Sequence, residues 1–392
     1  IAGDRGQYCG ADHPADDGGA KMTGLQKLLN TAAALCGFYA LVTGIGALSP
    51  ALLLAAGLVI AGGLRLSPVL AGAWPGAWSI LMRSQFDLLI SLVAAGAVLA
   101  ALQDGMAGAV WALAIAAWLH GWLAVEKTIA DDAHSKGFNW VVSLGVPLFF
   151  GFWLLFFWEA LTIGLGIPTV LLPPPSMIGA RLVSSTAILM ADFRQTFLKA
   201  VLAGYAIGCG SAVLVAILVD RNDFLRRGLL PIGNFISALP IIGVAPIMVM
   251  WFGFDWQSKA AVIVIMTFFP MMVNTLSGLS AASVMERDLL NTYAAGYWQS
   301  LFKLRLPAAM PFIFNALKIN STLALIGAIV AEFFGTPIVG IGFRISTEVG
   351  RMNLDMVWAE IAVAALAGSA SYGALSLLER RVTFWHPSYR TE

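Results

Sequence analysis

Residues 283–311 read SVMERDLLNTYAAGYWQSLFKLRLPAAMP and lie between two long apolar runs. Ser283 with Glu286 three residues on is a helix-opening pair, each side chain able to bond the other's backbone N–H. Asp288 adds negative charge near the positive end of the helix dipole. Leu289, Tyr293, Tyr297 and Leu301 recur every four residues with Leu290 and Leu304 flanking, so one face is apolar. Asn291, Gln299 and Lys303 fall elsewhere. Gly296 costs about 1 kcal/mol against alanine in a helix interior and allows a break into two short helices. Pro307 and Pro311 suit the first turn of the next helix, where proline forfeits no hydrogen bond. The pattern fits an amphipathic connector on a bilayer surface, and equally a helix presenting its apolar face to a partner protein.

The surroundings make this a loop between membrane spans. Charged residues form 11% of the chain and hydrophobic ones 59%, against about 25% and 45–50% in soluble domains. Apolar runs fall near 28–47, 49–64, 87–103, 106–125, 140–164, 196–219, 229–252, 259–281, 308–333 and 357–379. They predict an all-α integral membrane protein of about ten transmembrane helices, each needing about 20 residues. The first two are split only by Ser49-Pro50, where proline cannot continue a helix, so nine spans is the alternative count. Residues 66–82 carry Pro68 and Pro75 and read as interfacial, with Trp74 and Trp78 at headgroup level. Placing the 283–307 loop in the cytoplasm gathers most Lys and Arg there, among them Lys127, Arg221, Arg226, Arg227, Lys303, Arg305, Arg380 and Arg381. The positive-inside rule therefore sets that orientation, with both termini cytoplasmic on a ten-span count.

Composition excludes several classes. A net charge of +1 with no basic block argues against a nucleic-acid partner. Three scattered cysteines and four scattered histidines offer no disulfide framework or metal spacing. No GxxxxGK[ST] occurs, so the chain has no phosphate-cradling loop of its own. An ion-coupled secondary transporter would want intramembrane Asp, Glu or His, and a membrane-embedded enzyme clustered His or paired carboxylates. Both are kept as alternatives, although the core spans read as poor in such groups. Glu159, Glu332 and Glu360 fall near span ends and read as interfacial, as does His120 beside Trp118 and Trp122.

Three regions follow. Residues 1–21 are Gly- and Asp-rich and predict a disordered tail, a leader or vector remnant ahead of Met22. Residues 22–131 are accessory Ala/Leu/Gly helices, and 132–392 form the core, with DAHSKGFN (132–139) as the boundary.

Residues from about 140 onward resemble the permease subunit of bacterial ABC importers of the nitrate/sulfonate/taurine type. The resemblance rests on VLLPPPSMIGARLV (170–183), FLKAVLAGYAIGCGSAVLVAILV (197–219), SALPIIGVAPIMVMWFG (237–253), LPAAMPFIFNALKI (306–319), AEFFGTPIVGIGF (331–343) and LLERRVTFWHPSYR (377–390). The family loop pattern is E-A-A, three residues, G, nine residues, I-x-L-P. Anchored on Leu306-Pro307 it puts the acid on Asp288, the alanines on Leu289 and Leu290, the glycine on Ala294 and the isoleucine on Leu304.

The resemblance implies a six-helix type I importer permease core preceded by about four extra helices. It implies a homodimer in the bacterial inner membrane, a cytoplasmic ATPase dimer that carries ATP and Mg, and a soluble solute-binding protein, with no cofactor, metal or catalytic residue in this chain. It makes 283–307 the ATPase-coupling loop, with Leu289, Leu290, Tyr293, Ala294 and Tyr297 at the contact. Lys303 and Arg305 stand at its rim, and Asp288, Gly296 and Pro307 fix its course. Asn274, Asn315, Ser321 and Thr322 are candidates to line the translocation path, or to hold spans together. Thr267 is a weaker candidate, and Lys318 can snorkel toward the cytoplasm. Arg344, Glu348 and Arg351 are expected to dock the binding protein, or to pair with one another. The implied solute is a sulfonate, nitrate or heterocyclic vitamin precursor.

Overall fold

The structure, a computed structural model, describes residues 31–33, 35–40, 56, 57, 59, 78–102, 108–132, 139–237, 239–335 and 338–385. Most of the first two apolar runs, the 1–21 tail, most of the 66–82 segment, the 133–138 junction and residues 386–392 lie outside them. The described residues are helical between short turns, without strands. The chain divides into two compact units, one ending at Ile167 and one beginning at Pro168.

In the first unit, α1 (Trp78–Leu102), α2 (Gly108–Asp132) and α3 (Asn139–Gly164) pack through small residues. Ala94, Ala95, Val98 and Ala101 of α1 are buried with Val110, Leu113, Ala114 and Ala117 of α2. Small side chains let helix backbones approach closely where hydrophobicity alone gives no preference for protein over lipid. Ser91 Oγ donates to the Ala117 carbonyl at 2.9 Å. His120 is fully buried rather than interfacial: at its neighbour Gly121 the α2 backbone runs so close to Phe149 and Ser91 that a Cβ would lie 2.6 Å from each.

In the second unit, the 170–183 segment forms α4 (Pro175–Ser184), with prolines at its start where no helix bond is lost. Its Arg181 pairs with Asp355 at 2.6 Å. Next, α5 (Thr186–Phe193), a π-helical stretch Arg194–Val201 and α6 (Leu202–Arg221) run on as one span of 36 residues. The run at 229–252 is two helices rather than one, α7 (Asp223–Ser237) and α8 (Ile241–Phe252). Pro240 caps α8 with extended geometry, having no N–H to carry α7 onward and disfavouring helix at its predecessor. α9 (Trp256–Ser280) is the central span. The loop supplies α10 (Val284–Thr292) and α11 (Tyr297–Ser300), then a π-helical turn Leu301–Arg305 leading into α12 (Leu306–Glu332). α13 (Ile341–Gly350) and α14 (Leu354–Val382) finish the unit.

Five helices are long and apolar enough to cross a membrane among the described residues: 144–164, 186–221, 256–280, 297–332 and 354–382. Segments 88–101, 110–126 and 241–252 are apolar but shorter. The core of the second unit is α6 and α12 against α9, built on Cys209, Ala212, Ala216, Met271, Met272, Leu276, Ala309 and Ile313. Gly204 and Gly208 set the α6–α9 spacing. A Cβ on Gly204 would sit 2.7 Å from Ile263 and 2.8 Å from the Ala260 carbonyl, and one on Gly208 would strike Thr267 Oγ1.

Candidate functional site

The 283–305 loop is capped at both of its helix starts. Ser283 Oγ accepts from the Glu286 N–H, and Glu286 accepts from the Ser283 N–H at 3.0 Å. The helix ends as the 6→1 and 5→2 bonds of a left-handed cap require: the Ala295 N–H reaches the Leu290 carbonyl and the Ala294 N–H the Asn291 carbonyl. The residue at the turning point is Ala294, with φ 54°. The break predicted from Gly296 therefore exists, but the left-handed residue is Ala294, where the family pattern has glycine. Gly296 itself has φ −70° and opens α11, with its N–H held by Gln299 Oε1.

This geometry sorts the contact residues into two sets. Val284, Met285 and Leu289 of α10 and Tyr293 at its C-cap are 74%, 83%, 58% and 77% exposed. Leu290 is half-buried, Asp288 and Ala294 are exposed, and Lys303 is exposed beside Phe302. Tyr297 and Arg305 point the other way. Arg305 donates Nη1 and Nη2 to both oxygens of Asp220 at 2.7 and 2.6 Å, and Nε to the Leu279 carbonyl at 3.0 Å. Tyr297 donates its hydroxyl to Asp220 at 3.2 Å. Arg221 stacks its guanidinium over Tyr297 and Trp298, 5.5 and 5.9 Å from the ring centroids. Arg305 is thus not a rim residue: it ties the loop to the ends of α6 and α9. Asp220 escaped the sequence reading, and only its place at the end of an apolar run, VDRND, marks it.

Of the path candidates, Asn315 and Thr322 share an exposed stripe of α12 with Phe312, Ile319 and Ile326. Ser321 is buried and donates to the Lys318 carbonyl. Asn274 is half-buried and donates to the Pro270 carbonyl. Thr267 is fully buried and bonds within its own helix. The amide that joins helices is Asn320, which donates to the Thr267 carbonyl at 2.9 Å and contacts Cys209 Sγ at 3.5 Å. Lys318 pairs with Glu379, near the end of α14, at 2.7 Å.

At the opposite end, α13 is fastened by buried acids. The Gly340 N–H donates to Asp192 Oδ1 (2.6 Å), the Ile341 N–H to Thr196 Oγ1 (2.8 Å) and the Gly342 N–H to Glu332 Oε2 (2.7 Å). Thr196 in turn donates to Glu332 Oε1 at 2.7 Å. Glu332 and Glu360 are 2% and 0% exposed, so neither is interfacial. The three docking candidates are engaged within the chain. Arg344 pairs with Asp192 at 2.8 Å, and Glu348 accepts from Arg351 at 3.0 Å and from Asn353 at 2.8 Å. Burial opposes the Arg344 charge, and the bond and charge of Asp192 outweigh it, raising its pKa. Arg351 alone of the three is mostly exposed. Nearby, Ala191, Arg194, Gln195, Lys199, Phe254 and Asp255 surround an open pocket of about 670 Å³. Gln195 donates to Asp255, and that bond, with the Trp256 N–H, holds the Asp255 carboxyl below its ordinary range.

Residues 204–384 match the family described as binding-protein-dependent transport system inner membrane component. The chain is 30% identical over 239 residues to the formylaminopyrimidine transport permease protein of Halalkalibacterium halodurans, covering 61% of this chain and 95% of that one. It is 29% identical to the riboflavin transport system permease protein of Chloroflexus aurantiacus, over 64% of this chain and 93% of that one. Against the taurine transport system permease protein of Escherichia coli the figures are 28%, 66% and 97%. A core of long apolar helices, a capped loop between two of them and near full-length matches to these permeases agree: the chain is a multi-pass membrane protein of the binding-protein-dependent transport system inner membrane component family.

Proposed function

We propose that the chain is the permease subunit of an ATP-driven importer and that α10 is the surface on which a cytoplasmic ATPase docks. The observation that carries this is the exposed apolar set Val284, Met285, Leu289 and Tyr293, on a helix capped at both ends and, for Tyr293, at its C-cap, in a loop clasped to two spans through Arg305. A protein would leave such a face in water only where another surface covers it. Two ATPases, carrying ATP and Mg, drive two copies of this chain. The stripe Phe312, Asn315, Ile319, Thr322 and Ile326 lines the path between the copies, and a solute-binding protein delivers cargo at the α13 end. A small heterocyclic or sulfonate cargo is the reading supported by the formylaminopyrimidine, riboflavin and taurine named for the relatives.

The test is co-purification with a co-expressed ATPase subunit of an importer of this family. Met285→Asp with Leu289→Asp, four residues apart on the exposed face, abolishes ATPase retention and leaves membrane insertion intact. A double variant that keeps the ATPase and transports as the parent does would overturn docking at α10.

A further inference from the structure

Glu360 lies near the α13 end of α14, and both its carboxyl oxygens are buried with no hydrogen-bond donor reaching them among the described residues. Asp192 of α5 stands against it, with Glu332 of α12 and Arg344 of α13 close by. The donors around this group are committed elsewhere. Asp192 takes the Gly340 N–H on one oxygen and Arg344 Nε on the other. Glu332 takes Thr196 and the Gly342 N–H. Farther out, Glu348 acts on Arg344, and Lys259 of α9 acts on Glu332 while donating its Nζ to the Phe254 carbonyl at 2.6 Å.

An ionised carboxylate only accepts hydrogen bonds, so two facing carboxylates bond to each other only through a proton. Burying a carboxylate without a donor and next to a second one is costly in both desolvation and repulsion. A metal ion is a poor alternative: no group of three or more His, Cys, Asp or Glu among the described residues is arranged to hold one. The Arg344 cation already occupies Asp192 as well.

We propose that Glu360 and Asp192 share one proton, a buried proton-binding site beneath α13 formed by α5 and α14. Glu360 donates it, and Asp192 stays an anion able to hold Gly340 and Arg344. Loss of the proton leaves Asp192, Glu332 and Glu360 all charged around one arginine. The repulsion then loosens Asp192 from the start of α13, so occupancy of the site and the seating of α13 are linked.

Difference infrared spectroscopy of the full chain in lipid nanodiscs tests it. A protonated-carboxyl C=O band is expected, unaffected by sodium or potassium, lost in Glu360→Gln and shifted in Asp192→Asn. Absence of the band in the parent protein, its persistence in Glu360→Gln, or its titration by alkali cations would each overturn the proposal. Hydrogen exchange gives a second readout that does not need Asp192→Asn to fold. Above the pH at which the band titrates, exchange at residues 340–345 rises beyond its intrinsic pH dependence in the parent and does not in Glu360→Gln. Equal behaviour of the two proteins would overturn the link to α13.

Discussion

Asp220→Asn is the most informative single change, because it removes one charge from the clasp and almost no volume. The parent pair is bidentate, at 2.6 and 2.7 Å, with side chains 15% and 7% exposed. Removing one partner of a buried pair costs about 3–5 kcal/mol, because the other charge is left uncompensated. Arg305 keeps its Leu279 carbonyl and a little solvent, so the low end, about 3 kcal/mol, applies. At about 1.4 kcal/mol per factor of ten, the loop's open state gains more than a hundredfold in relative population. Hydrogen exchange over 283–305 is the assay, with exchange in the α12 interior as an internal control. Under the proposed docking at α10, the variant keeps the apolar face and so still retains the ATPase, while binding-protein-stimulated ATP hydrolysis and transport fall together. The swapped pair Asp220→Arg with Arg305→Asp restores part of both. Parental exchange and parental transport in Asp220→Asn would refute the idea that the clasp carries motion from the loop to α6.

Three further outcomes are expected. Ala294→Gly relieves a left-handed alanine, a conformation that costs about 1–2 kcal/mol for a residue with a Cβ, and should slow exchange at the Ala295 N–H, which closes the cap on Leu290. Gly208→Leu forces a side chain into Thr267 Oγ1 and should destabilise the α6–α9 packing by about 1–3 kcal/mol or more, read as a lower thermal midpoint in detergent. Because Asp255 is held below its ordinary range by Gln195 and the Trp256 N–H, its contribution is present above the unfolded carboxylate pKa and is lost as pH falls through the depressed value. Gln195→Leu should therefore flatten the acid limb of a stability–pH curve, and an unchanged limb would assign that limb to other carboxylates.

The long spans were legible because a bilayer demands uninterrupted apolar length, and FLKAVLAGYAIGCGSAVLVAILV or the 256–280 helix leaves little alternative. The start of α10 was legible for a local reason, since Ser283 and Glu286 satisfy each other within four residues. Features set by distant partners were not. Nothing around Asp220 says that Arg305, 85 residues later, reaches back to it, and Glu332 and Glu360 look interfacial until α13 folds over their ends. The π-helical stretches have no sequence signature, and Pro240 was read as lying inside a span because the flanking residues are apolar on both sides. Among Asn315, Asn320, Ser321 and Thr322, polarity alone did not separate the stripe from the helix-joining amide. Rotation about α12 did.

The fastening of α13 has a mechanical consequence. The N–H groups of its N-cap Gly340 and of its first two residues are held by side chains from two different stretches of chain, Asp192 and Thr196 on one and Glu332 on the other, with Thr196 and Glu332 also bonded to each other. A slide of either support along its axis strains all of these bonds at once, so α13 cannot follow one neighbour and keep the other. It stays seated or lets go as a unit, which makes it a threshold device: small relative displacements are absorbed, and a larger one releases the whole helix.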